Sequence, residues 1–117
     1  MSVLSKTHVD FAIAQERKMK NFSVRVELLN DANGQDYADL HQRMRNSGFD
    51  TVIAFRDGSK AHLPPAEYVH SVNGLETVLQ VRDRASNAVS IGLRFGLSYR
   101  IYAVEIIDWA GHNLVRA

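Results

Sequence analysis

At 117 residues the chain suits one folded domain around one core and leaves no room for two. Its 45% hydrophobic and 23% charged residues exclude wholesale disorder, and its net charge of +1 excludes a global electrostatic footprint for nucleic acid. The absence of cysteine excludes disulfides, thiolate catalysis and thiolate metal sites, and fits a reducing cytoplasm.

No stretch approaches the ~20 apolar residues that span a bilayer. The apolar patch from Val9 to Ala14 is broken by Asp10, so no secretory signal and no membrane partner are expected. Residues 1–18 lack a sustained strand or helix period, apart from a short stripe of Val9, Ala12 and Ile13. They are read as an N-terminal extension, flexible or not native, ahead of a domain over 19–117. The competing reading is a helix packed on that domain.

From Phe22 the period is two. Phe22, Val24, Val26 and Leu28 take one side and Ser23, Arg25 and Glu27 the other, the pattern of a strand with one buried face. Asn30, Asp31, Asn33 and Gly34 end it. Tyr37, Leu40 and Met44 then follow at helical spacing, with Gly48 placed as a left-handed C-cap. Thr51 to Phe55 is a short β-rich run. Arg56-Asp57-Gly58-Ser59 reads as a hairpin turn, because Asp-Gly supplies the positive φ that such turns need.

The returning strand runs from Ala61, is interrupted at Pro64-Pro65 and resumes through Ala66 to Val72. Prolines cannot donate to a ladder, so this strand belongs at an edge or a bulge. Asn73-Gly74 opens a second helix with Leu75, Val78, Leu79, Arg82, Ala85 and Val89 on one face, and Gly92 and Gly96 bracket its exit. Tyr99 to Ile107 is the last strand, with Tyr102, Val104 and Ile106 sharing a face. The order predicts an α+β, ferredoxin-like βαββαβ sandwich: a four-stranded antiparallel sheet with two helices on one face.

The residues Asp36-Tyr37, Leu40-His41, Met44 and Gly48-Phe49, followed by Leu63-Pro64-Pro65-Ala66-Glu67-Tyr68, form a recurring pattern. The pattern resembles the bacterial family grouped with GhoS, the antitoxin of type V toxin–antitoxin systems, and the resemblance covers roughly Lys20 to Ile107. It implies a ferredoxin-like fold similar to that of the small CRISPR-associated nucleases of this shape. It also implies an endoribonuclease that cleaves the transcript of a small membrane toxin. Those nucleases carry a metal-holding aspartate at the end of the first strand. Here that position reads Leu28-Leu29-Asn30, with Asp31 beyond it.

The histidines His8, His41, His62, His70 and His112 include no helical i, i+4 pair, so no structural metal site is expected. Glu27 and Asp31 are read as solvated carboxylates rather than a hard-cation site. His41 lies at the margin of the first helix's apolar face, either as a proton shuttle or as a boundary residue that packs its ring. No Gly-rich phosphate loop, nucleophile elbow or Ser/His/Asp spacing is present.

A basic–aromatic surface is the stronger clue. Arg25 points away from the core, Tyr68 and His70 share a face, and Arg56 stands at the hairpin. Together they offer stacking and phosphate contacts on the open sheet face, where a dimer interface is the competing use. The leading expectation is an antitoxin-like RNA-binding protein, with Arg25, Arg56 and Tyr68 contacting RNA. If the resemblance extends to cleavage, His62 or His70 would be the base and Arg25 would stabilise the phosphorane, without a cofactor. The expected partners are a toxin transcript and a second copy of the chain. The alternative is a non-catalytic interaction or dimerisation module that uses the same face.

A chain beginning at Met19 is expected to keep the melting behaviour of the full chain, since residues 1–18 lack a core-facing stripe. A fall of more than a few degrees in a thermal melt would show that they pack on the domain.

Overall fold

The computed structural model describes residues 19–55 and 57–117. The expectations for residues 1–18 and for Arg56 lie outside them. The elements in chain order are β1 (Met19–Leu29), α1 (Gly34–Asn46), β2 (Val52–Ala54), β3 (Lys60–His62), β4 (Glu67–Asn73), α2 (Val78–Ser90) and β5 (Ser98–Ile106). The described residues are therefore α+β, with two helices and a mainly antiparallel sheet.

β1 is the central strand of a three-stranded sheet ordered β4-β1-β5, with antiparallel neighbours on both sides. Its alternation is the expected one. Phe22, Val24, Val26 and Leu28 are buried in one cluster with Leu40 and Met44 of α1 and with Val81, Ala85, Ala88 and Val89 of α2. Tyr99, Ile101 and Ala103 of β5 pack against the same cluster.

α1 begins in a capping box. The side chain of Asn33 accepts from the Asp36 N–H (2.9 Å), and the Asp36 carboxylate accepts from the Asn33 N–H (2.8 Å). Arg94, on the α2–β5 connection, donates twice to the same carboxylate at 3.0 Å. These Arg94 bonds, and then the Asn33 N–H, hold the Asp36 pKa below the usual carboxylate range. At its other end α1 closes on Gly48 (φ +90°), as expected, with the Gly48 N–H donating to Arg45 O and the Phe49 N–H to Met44 O.

Three expectations are corrected. The sheet is not a single four-stranded one: β2 and β3 form a separate two-stranded hairpin. Asp50 and Val69 exchange both backbone hydrogen bonds (2.8 and 2.7 Å), an isolated bridge where a fourth strand would continue. The Asp50 carboxylate then accepts from the Thr51 and Val52 N–H groups, which bends the chain away from β4. The returning strand is interrupted around Pro64-Pro65 as expected, with Ala66 at a positive φ of 65°, but its two parts belong to different sheets.

The second helix starts later, and of its expected face only Ala85 and Val89 are buried. Thr77 caps it, accepting from the Gln80 N–H at 3.2 Å, so the first helical residue is Val78. Its buried stripe is Val81, Ala85, Ala88 and Val89, while Leu75, Val78 and Leu79 are exposed. At its exit Arg43 of α1 donates to the carbonyls of Ala88 and Val89 (3.1 Å each). A Cβ at Gly92 would stand 2.8 Å from Arg43 Cδ, which accounts for glycine there.

None of the described helices is long and apolar enough to cross a membrane. Met44 has no exposed surface and sits where both helices meet β1. Met44→Ala is expected to cost ~2–5 kcal/mol, read as a lower denaturant midpoint at unchanged slope. A cost below ~0.5 kcal/mol, typical of surface positions, would contradict this packing.

Candidate nucleic-acid interface on the outer sheet face

Because Val24 and Val26 face the helices, Ser23, Arg25 and Glu27 must face away from them. Register then fixes their neighbours. Arg25 lies between Glu67 of β4 and Tyr102 of β5, and Glu27 lies opposite Arg100. Arg100 Nε donates to Glu27 Oε1 at 2.7 Å, and the Ser23 hydroxyl donates to Glu67 Oε2 at 3.2 Å. The Arg100–Glu27 pair is exposed on both sides, so it adds little stability. Arg25 makes no ion pair with any described residue and is exposed. Tyr102 beside it is 65% exposed.

The outer face is divided. Over one part, the C-terminal tail and the β2–β3 hairpin enclose a cleft of about 670 Å³ with Val69, Val104 and Ile106. The tail is tied to β3 by His62 N–H donating to Val115 O (2.8 Å) and Ala117 N–H donating to Lys60 O (3.0 Å). The Phe55 and Trp109 rings pack at 5.0 Å. The other part, around Arg25 and Tyr102, is uncovered by described residues.

Tyr68 and His70 are not on this face, contrary to expectation. Residues of β4 opposite Val24 and Phe22 must point to the core, and these are Tyr68 and His70. Tyr68 has no exposed surface and His70 is 8% exposed. The outward set on β4 is instead Glu67, Val69 and Ser71. His70 packs 4.9 Å from Phe49 and 6.5 Å from Phe22, and its Nδ1–H donates to Gly48 O at 2.9 Å. Its Nε2 is buried without a hydrogen bond, 3.6 Å from Glu76 Oε1. His62 is exposed on the hairpin. No hydrogen bond or ion pair among the described residues joins Arg25, His62 and His70.

The partner of His41 escaped the sequence reading. Its Nδ1 lies 2.6 Å from the Tyr68 hydroxyl. A buried hydroxyl whose hydrogen pointed elsewhere would leave that hydrogen unpaired, so Tyr68 donates and Nδ1 accepts. The proton of the neutral ring is then on Nε2. Desolvation, with Arg45 adding repulsion, lowers the His41 pKa, and burial raises that of Tyr68 well above its ordinary value. Both groups are therefore neutral at neutral pH. Helical spacing marked His41 as marginal, but nothing local signals a partner 27 residues away.

Comparison with known proteins found no matching family model, no matching curated protein and no matching solved structure.

His41 is expected to contribute acid sensitivity near neutrality. Its pKa is lowered in the folded chain, so its stabilisation is complete above the ordinary value of 6.5 and is lost as pH falls through the folded value. Asp36 acts the same way in a separate window, below about 3.8. Urea unfolding at pH 7.5 and 5.5 should show the native chain weaker at 5.5 and a shallower dependence in His41→Asn. An identical pH dependence in the variant would mean that His41 is not what titrates.

Proposed function

We propose that the protein is an antitoxin-like RNA-binding protein that takes single-stranded RNA on the outer face of its sheet. The observation that carries the reading is Arg25, a cation with no ion-pair partner among the described residues, next to the exposed ring of Tyr102. A guanidinium and an aromatic face side by side supply the phosphate and stacking contacts that single strands need. The pattern from Asp36 to Tyr68 supports the antitoxin class, with the transcript of a small membrane toxin as target and the cytoplasm as its place. The arrangement is compatible with a ferredoxin-like fold. We read the Asp50–Val69 bridge as the remnant of its fourth strand.

Binding is better supported than cleavage. His70 has one ring nitrogen committed to Gly48 and the other buried, so it meets a phosphodiester only if the core opens. His62 keeps its exposure and remains a candidate base. A second reading, an interaction or homodimerisation module, is favoured by one feature. Among the described residues β5 has a strand neighbour on one side only, and such an edge is a template for another chain.

Arg25→Ala should weaken binding to an unstructured oligoribonucleotide. It should also reduce the slope of log affinity against log salt by about 0.7, the loss of one single-strand phosphate contact. Arg25→Glu should weaken it further, with oligomeric mass unchanged in both. RNA affinity unaltered in Arg25→Glu at low salt would remove this face as the RNA site. A shift in mass instead would favour the interaction module.

A further inference from the structure

β4 begins at Glu67, opposite Arg25, whereas β1 runs on to Leu29. Along Val26 to Leu29 the missing strand is replaced piecemeal. Val26 N–H donates to Ala66 O at 3.0 Å, and Leu28 N–H donates to the Tyr37 hydroxyl at 3.1 Å. These substitutes satisfy the Val26 and Leu28 N–H groups without filling the volume of a strand. A groove of about 600 Å³ remains, within the range of small-ligand sites.

Tyr37, Ile101 and Tyr102 give the groove its apolar lining, and Arg25, Arg100 and Glu27 are its charged groups. Glu27 is already held by Arg100. Arg25 makes no ion pair among the described residues, and its cross-strand neighbour Glu67 accepts from the Ser23 hydroxyl instead. Arg25 and Tyr102 are direct cross-strand partners, whose Cβ atoms stand roughly 5 Å apart in such pairs. One nucleotide can therefore reach both.

We propose that this groove is a subsite for one nucleotide of a single-stranded RNA, its phosphate on Arg25 and its base stacked on Tyr102. The assignment rests on the RNA-binding reading above and gives it a location and a chemistry. A guanidinium fork matches phosphate oxygens, and a tyrosine ring accepts any base on its π-face. The Tyr37 hydroxyl accepts from the Leu28 N–H and keeps its own hydrogen to donate. Stacking on a π-face by itself discriminates weakly among bases.

The full chain, titrated with AMP, ribose 5-phosphate and a short unstructured oligoribonucleotide, tests this by NMR. AMP is expected to move the resonances of Arg25, Tyr102 and Ala66 saturably, and ribose 5-phosphate to bind at least about fivefold more weakly for want of a base. The oligonucleotide should bind at least about tenfold tighter than AMP through its further contacts. Arg25→Gln and Tyr102→Leu should each lose about tenfold in AMP affinity with the rest of the spectrum unchanged. The subsite is overturned if AMP leaves the groove unmoved, if ribose 5-phosphate matches AMP, or if Tyr102→Leu binds AMP as well as the native chain. An oligonucleotide that still binds when AMP misses the groove sinks the subsite alone. One that also fails sinks the RNA reading with it. AMP binding as tightly as the oligonucleotide would make free nucleotide the ligand and overturn the assignment to a strand.

Discussion

The strict alternation of β1 between two antiparallel neighbours is the constraint on which the rest depends. Phe22, Val24, Val26 and Leu28 give both helices one apolar surface, and the pairing on either side holds that surface in a single register. A slip of one residue would exchange Val24 for Arg25 in the core, so the cost of burying a guanidinium protects the register. The same constraint turns Arg25 outward. Core packing and candidate function are thus set by one pattern, read on its two sides.

What surrounds that strand is incomplete in a way that matters. The Asp50 carboxylate gathers the next two N–H groups and turns the chain off the sheet after a single bridge to Val69. The hairpin that results, tied to the C-terminal tail, covers part of the outer face. β4 begins too late to flank the far end of β1, and a groove remains there. Two interruptions of regular pairing therefore divide the outer face into a covered part and an uncovered one.

The buried polar groups show how the elements are locked together. Asp36 joins the start of α1 to Arg94 on the α2–β5 connection, while Arg43 ties the end of α2 back to α1. His70 bonds the turn at Gly48, where the positive φ favours glycine and a Cβ would come within 3.3 Å of the imidazole. His41 accepts from Tyr68 and so satisfies a hydroxyl with no access to water. Two histidines that invite a catalytic reading are thus explained by packing. The less conspicuous Arg25 and Tyr102 are what the surface offers.

The strand over Phe22 to Leu28, the helix carrying Leu40 and Met44, its glycine cap at Gly48 and the outward direction of Arg25 are all legible in the amino-acid order. Each depends on period, cap or turn chemistry within a few residues, and those are local. That order left open which side of β4 is buried, because Tyr68, His70 and Val72 alternate as well as Glu67, Val69 and Ser71 do. Only pairing with β1 chose between them. In the same way the stripe through Leu75, Val78 and Leu79 is helical in period and leads correctly to Ala85 and Val89, yet the Thr77 cap and contact with β1 put Val81 and Ala88 inside and leave its first residues exposed. The His41–Tyr68 bond, the Arg94–Asp36 pair and the groove beside Arg25 join residues tens of positions apart. A short window carries no trace of such contacts, which exist only once the folded chain brings the residues together.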